Sequence, residues 1–117
     1  MSGHAGRHVR AVERIGDARE ADERVLDHLA SLGCDPVRPL ESTHYLYFAT
    51  DARADAVAAI LRARGWTTAV GRSEGAWLLT GRHVAQLTSE SVRECRVWLE
   101  TLTSEHGGLY DGWEARI

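Results

Sequence analysis

The residues best suited to chemistry in this 117-residue chain are six histidines and two cysteines. His4 and His8 have the i, i+4 spacing that places two imidazoles on one face of a helix. A zinc site needs three or four ligands held in place, and no thiol or carboxylate completes such a set with this pair. We therefore expect neither a metal ion nor a cofactor.

The other imidazoles and thiols form no recognisable catalytic signature. His44 stands in an apolar, aromatic stretch, where we expect a hydrogen-bonded histidine of the core or of an interface. His83 and His106 are expected in a loop and at a helix end. Cys95 should act as a small hydrophobic residue on the inner face of a helix, and nothing beside Cys34 in the sequence would make it reactive. We predict no catalytic residue and no enzymatic activity.

Two tyrosines, Tyr45 and Tyr47, share one face of a predicted strand. RNA-recognition domains stack bases on such aromatics, but the third strand here, "GAWLLTGR", lacks their signature of alternating glycine and aromatic residues. A net charge of −3 also argues against phosphate contacts. We therefore expect no direct nucleic-acid partner. The alternative is a small-ligand or enzymatic site on an open sheet face, formed by His44, Tyr45 and Tyr47. Homodimerisation through that face is a further alternative.

Acidic residues are concentrated between positions 17 and 27, where five acids accompany two arginines. Such a segment is either a solvated helix face or an anionic docking surface, because charge complementarity favours encounters with a basic partner. A tryptophan beside the inner face of the last helix adds a candidate anchor for a partner. The predicted partner-binding residues are Asp17, Glu20, Asp22, Glu23, Asp27 and Trp98.

The elements that position these residues follow from hydrophobic periodicity and from capping residues. Apolar residues at spacings of three and four predict a helix from Asp17 that ends at Gly33. Thr50 or Asp51 begins a second helix and Thr88 a third. Strands are predicted over 41–50, 66–72, 76–80 and 109–117, with a hairpin turn over 73–75.

The resulting order, βαββαβ after an extra N-terminal helix, is typical of an α+β, ferredoxin-like sandwich. It predicts a four-stranded antiparallel sheet with two helices on one face. The strands over 41–50 and 76–80 should be central, and the closing strand should lie at the edge. The extra helix should pack on a flank or over the open face. We expect one domain over residues 17–117, preceded by a flexible arm over residues 1–16.

No apolar run approaches the roughly 20 residues that a membrane-spanning helix requires. The N-terminal residues also lack the apolar segment of a secretory signal. We therefore expect a cytoplasmic protein with no membrane partner, in which both cysteines are reduced.

The closing segment "HGGLYDGWE" follows an apolar helix that begins "LTSESV", and "STHYLYF" precedes both. In this order the segments resemble the RraB family, the regulators of ribonuclease activity B. Its most recognisable motif corresponds to Tyr110, Asp111, Gly112 and Trp113, which we expect to be structural. The resemblance covers roughly residues 22–117.

The resemblance implies a ferredoxin-like sandwich and a non-catalytic regulator with a protein partner. Characterised members of the family bind the endoribonuclease E and lower its cleavage of RNA. Those regulators continue into a strongly acidic tail, whereas this sequence resembles a single-domain member without that tail. The resemblance therefore implies a regulator of RNA decay whose partner is a ribonuclease E/G-type enzyme.

Overall fold

The computed structural model describes residues 8–11 and 18–116. In chain order the elements are β1 (His8–Ala11), α1 (Ala18–Ser31), β2 (Leu40–Phe48), α2 (Asp51–Ala63), β3 (Thr67–Ser73), β4 (Ala76–Ala85), α3 (Ser89–Glu105) and β5 (Leu109–Arg116). The α+β class and the βαββαβ order after the first helix are confirmed. Of the arm predicted over 1–16, residues 8–11 form strand β1, and the rest lies outside the described residues.

The strands form one antiparallel sheet in the order β1-β5-β2-β4-β3. The central positions predicted for β2 and β4 are confirmed. The edge position predicted for β5 is wrong, because β1 pairs with its outer side through Val9 and Ala115. The short β1 was not predicted, since four residues carry too little periodicity to be recognised. The core of four strands is thereby extended to five.

Local signals place the helix boundaries where the sequence predicted them. Thr50 and Thr88 are the N-caps of α2 and α3, and each side-chain hydroxyl accepts a hydrogen bond from the backbone N–H three residues on. The β3–β4 hairpin turns at Glu74 and Gly75, which both have positive φ angles. Two successive residues of this kind match the strand twist in a two-residue hairpin.

The helices pack on one face of the sheet through two hydrophobic clusters. The larger cluster joins α2 and α3 to the inner residues of β2 and β4, with Leu46, Leu61 and Leu99 fully buried. The second cluster joins α1 to β5 through Val25, Leu29, Trp113 and Ala115. The extra helix therefore covers the flank of the sheet beside α3, which is one of the two predicted positions.

Among the described residues, no helix has both the length and the apolar character needed to span a membrane.

Candidate functional site

A β-bulge in β5 determines which side chains enter the space between the sheet and the helices. Opposite β2, Leu46 pairs with Tyr110 but His44 pairs with Trp113, so β5 contains one extra residue. Gly112 has a φ angle of 90°, which side chains disfavour. Residues three apart would face opposite sides of a regular strand. The bulge instead buries both Tyr110 and Trp113 beneath the helices.

His44 lies at the centre of the aromatic cluster that this bulge creates. The side chain is only 4% exposed, and its Nδ1 lies 2.9 Å from the hydroxyl of Tyr110. Its ring stacks against the ring of Trp113 at a centroid distance of 6.1 Å, and the ring of Trp66 lies 5.3 Å away. The predicted hydrogen-bonded core position of His44 is therefore confirmed. The Tyr–Asp–Gly–Trp segment supplies two of the four rings that surround His44, namely those of Tyr110 and Trp113.

His83 and Cys95 lie near His44 and form a cluster of polar side chains with it. The Sγ of Cys95 lies 3.9 Å from Nε2 of His44 and 3.9 Å from Nε2 of His83. The indole of Trp66 stacks on the His83 ring at 3.8 Å, with 9° between the planes. His83 was expected in a loop, but β4 extends to Ala85 and includes it. Three residues from β2, β4 and α3 thus converge, and we call them the His44–His83–Cys95 cluster.

The electrostatic setting keeps all three members of the cluster uncharged near neutral pH. Burial lowers the pKa of His44 well below its usual value, and the neighbouring His83 adds to the effect. Burial lowers the pKa of His83 to about 4. The pKa of the Cys95 thiol rises to about 12 because of burial and the nearby Asp22 carboxylate. An activated nucleophilic cysteine needs a lowered thiol pKa, so these groups do not form a catalytic thiolate–imidazolium pair.

A small cavity of about 20 Å³ borders the cluster and is lined by Ser42, Gln86 and Arg96 as well as by the three cluster residues. Its volume is enough for about one water molecule. Ser42 is 1% exposed, and its hydroxyl has no hydrogen-bond partner within the described part of the chain. A buried polar group without a partner is costly, so this hydroxyl marks a place where an additional ligand or water would be stabilised.

Asp22 is buried, contrary to its predicted place on an acidic surface. One carboxylate oxygen accepts a hydrogen bond from Nε of Arg96 at 2.6 Å, and the other accepts one from Nε1 of Trp113 at 2.9 Å. Arg96 also reaches Glu100 at 3.0 Å. Burial raises the pKa of Asp22, while the bonds from Trp113 and Arg96 oppose that rise. Asp22 therefore fastens α1 to α3 and β5 and is not available to a partner.

The remaining acidic candidates on α1 are exposed, namely Glu20, Glu23 and Asp27. Their i, i+3 and i+7 spacing places them on one helical face, with Arg24 exposed beside them. Asp17 lies outside the described residues.

A groove of about 260 Å³ lies next to Asp27, at the C-terminal end of α1. Its lining is largely apolar and includes Leu26, Leu40 and Leu87, and it carries a second carboxylate, Asp35. We call it the α1 groove.

Trp98 lies at the edge of the core and is partly exposed. Its ring packs against the larger hydrophobic cluster and stands 6.0 Å from the ring of Trp66. The guanidinium of Arg64 lies over the ring at 4.5 Å. This position combines a structural role with an accessible edge, so a partner-binding role for Trp98 stays a prediction.

Tyr45 and Tyr47 lie on the sheet face that is opposite the helices. The side chain of His44 lies on the other face, between the sheet and the helices. The hydroxyl of Tyr45 donates a hydrogen bond to the carboxylate of Glu114 on the neighbouring strand. The alternative site that combined His44 with both tyrosines is therefore wrong in its geometry, because the sheet separates the imidazole from the phenol rings.

The sequence did not predict the cluster because His44, His83 and Cys95 are far apart along the chain and form no motif. Sequence spacing drew attention to His4 and His8, which lie outside the described side chains. One signal was present: Cys95 was expected on the inner face of α3, and His44 was expected as a core or interface residue of a central strand. Facing inner positions on a helix and on the strand beneath it are brought into contact by packing.

Comparison with known proteins identifies a family. A protein-family model described as RraB, regulator of ribonuclease activity B, matches residues 19–115. A search of curated proteins found no match. Except for the first residue of α1 and the last residue of β5, the matched region includes the three helices and strands β2 to β5. It therefore contains the Tyr–Asp–Gly–Trp segment and the whole cluster.

Proposed function

This chain belongs to the RraB family, and from that premise we propose that it is a non-catalytic regulator that binds a ribonuclease and lowers its cleavage of RNA. The family description supports a role in the regulation of ribonuclease activity. The proposed partner is a ribonuclease E/G-type enzyme, as the resemblance to the family implies. Regulation would follow from contact between the two proteins.

The chemistry of the cluster supports a non-catalytic role. A nucleophile needs a base that can take its proton and a lowered pKa, yet the pKa of Cys95 rises to about 12 and that of His83 falls to about 4. The Asp22 carboxylate is engaged by Arg96 and Trp113. These groups hold the fold together around His44 and leave partner binding to the exterior.

The observation that carries the proposal is the α1 groove together with the acidic face beside it. The groove has apolar walls, and Asp27 and Asp35 supply carboxylates at its edge. Long basic side chains place their aliphatic stems on apolar surface and their charged ends on carboxylates. RNA-cleaving enzymes need such side chains to contact phosphates. A basic segment of the nuclease is therefore the proposed occupant, and its capture would reduce RNA binding.

The test is equilibrium binding of the full chain to the ribonuclease E/G-type enzyme of the same organism. We expect saturable binding that weakens as salt is raised, because exposed charge pairs are screened. The variant Glu20→Gln/Glu23→Gln/Asp27→Asn removes three exposed negative charges from α1. It should bind at least about tenfold more weakly, since each exposed pair contributes roughly 0.2–1 kcal/mol and a groove-lining pair more.

A matched control separates the proposed surface from the effect of net charge. Asp55→Asn/Glu74→Gln/Glu105→Gln removes three exposed acids from α2, the β3–β4 turn and the end of α3. It changes the net charge by the same amount but should leave affinity within about twofold. Equal weakening by both variants would contradict the proposed surface, and no binding by the unmodified chain would contradict the proposed function.

A further inference from the structure

We propose that the His44–His83–Cys95 cluster is a binding site for one divalent transition-metal ion of the Zn²⁺ class. The cluster supplies two imidazole nitrogens and one thiol sulfur, the ligand types that Zn²⁺ prefers. The three ligand atoms lie within 4.8 Å of one another. This inference is independent of the proposed ribonuclease contact.

The two sulfur–nitrogen distances are close to those of a tetrahedral zinc site. Bond lengths of about 2.3 Å for zinc–sulfur and 2.0–2.1 Å for zinc–nitrogen imply a sulfur–nitrogen separation of about 3.6 Å in a tetrahedron. Both sulfur–nitrogen separations are 3.9 Å here. A contraction of a few tenths of an ångström would bring the sulfur of Cys95 to bonding geometry with each imidazole. The two imidazole nitrogens lie within 4.8 Å of each other and would have to approach to about 3.4 Å by side-chain rotation as the ion binds.

Neighbouring side chains fix the orientation of both imidazole rings, as residues behind the ligands do in known metal sites. Tyr110 engages Nδ1 of His44 at 2.9 Å, and Nε2 of that ring faces Cys95. In metal sites the second ring nitrogen of a histidine is almost always hydrogen-bonded in this way. Trp66 fixes the plane of His83 by close stacking. Both nitrogens that face Cys95 are thus presented by oriented rings.

The cavity beside the cluster offers space for a fourth ligand. It is lined by Ser42 and Gln86, and the Ser42 hydroxyl is buried without a partner in the described part of the chain. A water molecule on the ion could fill the fourth position and accept or donate a bond there. Arg96 also borders the cavity, but its charge is balanced by Asp22 and Glu100. Repulsion of a divalent ion by that guanidinium is therefore reduced.

Binding would exchange the thiol proton of Cys95 for the metal ion. The sulfur–hydrogen bond breaks, a sulfur–metal bond forms, and one proton passes to solvent, while both neutral imidazoles bind through existing lone pairs. Because the three ligands come from β2, β4 and α3, the bound ion would join α3 to two central strands. Binding to the folded chain alone would stabilise the fold by mass action.

The test uses Co²⁺ as a spectroscopic probe of the full chain, followed by displacement with Zn²⁺. We expect one equivalent of Co²⁺ to produce a thiolate-to-metal charge-transfer band, release one proton and raise the thermal unfolding midpoint. Zn²⁺ should abolish the band and retain the stabilisation. The band distinguishes this site from metal binding by imidazoles elsewhere, because it requires a coordinated sulfur.

Two substitutions test whether the sulfur of Cys95 and a nitrogen of His83 bind the metal ion. Cys95→Ser should lose the band and His83→Gln should weaken affinity by more than the roughly 10- to 100-fold that loss of an outer contact costs. Cys34→Ser, which removes the other free thiol, should keep band and affinity unchanged. The unfolding midpoint of each apo variant verifies that it is folded. A band that persists in Cys95→Ser, or its absence from the unmodified folded chain, would overturn the proposal.

Discussion

Replacing Asp22 with alanine should destabilise the fold far more than any other acidic substitution on α1. The change leaves the Nε1–H of the buried Trp113 without an acceptor and removes the closest partner of Arg96. An unsatisfied buried donor costs about 1–3 kcal/mol, and a hydrogen bond to a charged group contributes about 1.5–3 kcal/mol. Arg96 retains Glu100, and removal of a buried carboxylate recovers part of its desolvation cost. We therefore expect a loss of about 3 kcal/mol.

Urea unfolding measures this loss directly. For a slope of about 2 kcal/mol per molar, a loss of about 3 kcal/mol lowers the unfolding midpoint by about 1.5 M. Because domains of this kind are stable by about 5–15 kcal/mol in total, the loss in Asp22→Ala is a substantial fraction of the whole, and the variant should still fold. Glu23→Ala is the matched control, since Glu23 is the exposed neighbour on the same helix. Its effect should stay within about 0.5 kcal/mol.

A double-mutant cycle separates the ion pair from the tryptophan hydrogen bond. In the Arg96→Met background the partner charge is absent, so Asp22→Ala should cost less by about 1–3 kcal/mol. A single-mutant loss below about 1 kcal/mol, or additive effects of the two substitutions, would refute the idea that Asp22 fastens α1 through Arg96 and Trp113.

Three further outcomes follow from the same geometry. Gly112→Ala should cost about 1–3 kcal/mol in urea unfolding because its φ angle is 90°; an unchanged midpoint would contradict the role of the bulge. Iodoacetamide at pH 8 should modify Cys34 roughly tenfold faster than Cys95, because the pKa of the Cys95 thiol is raised to about 12. Peptide mass spectrometry measures the two rates, and equal rates would contradict the burial of Cys95. The unfolding free energy of the metal-free protein should fall by about 2–3 kcal/mol between pH 7 and pH 5, with about 2 kcal/mol from His44 and a smaller part from the partly exposed His83. Burial lowers the pKa of His44 and that of His83, the latter to about 4, so the unfolded chain takes up protons first as the pH falls below about 6.5. A flat profile in this range would contradict buried neutral imidazoles.

The fold was largely predictable because its signals are local. Apolar periodicity together with Thr50 and Thr88 located the helices, and the order of elements indicated a ferredoxin-like sandwich. Strand β1 escaped detection because its four residues have no periodicity of their own, and its pairing with β5 is what brings it into the sheet. Pairing between strands that are distant in the chain cannot be predicted from a short segment of sequence.

The candidate site was less predictable because it depends on a single irregular residue. Regular alternation along the last strand would place Asp111 and Trp113 on one face and Tyr110 on the other. The bulge at Gly112 reverses that relation, so Tyr110 and Trp113 both contact His44. Gly112 was expected to be structural, but the register shift that it permits depends on pairing with β2.

The burial of Asp22 shows a related limit of sequence patterns. An aspartate among exposed acids on α1 reads as part of one charged surface, and only the approach of Arg96 from α3 makes its burial favourable. The same packing leaves Glu20, Glu23 and Asp27 exposed. The acidic surface is thus smaller than the composition suggested, and Asp27 is the member of it that also lines the α1 groove.

The most direct test of a non-catalytic ribonuclease regulator is the initial rate of cleavage of a labelled RNA by the ribonuclease E/G-type enzyme of the same organism, measured against concentration of this protein. We predict a saturable fall in rate, no cleavage by this protein alone, and a higher half-effective concentration for Glu20→Gln/Glu23→Gln/Asp27→Asn than for the control that neutralises Asp55, Glu74 and Glu105. An unchanged cleavage rate at a large molar excess of the folded protein would contradict the account.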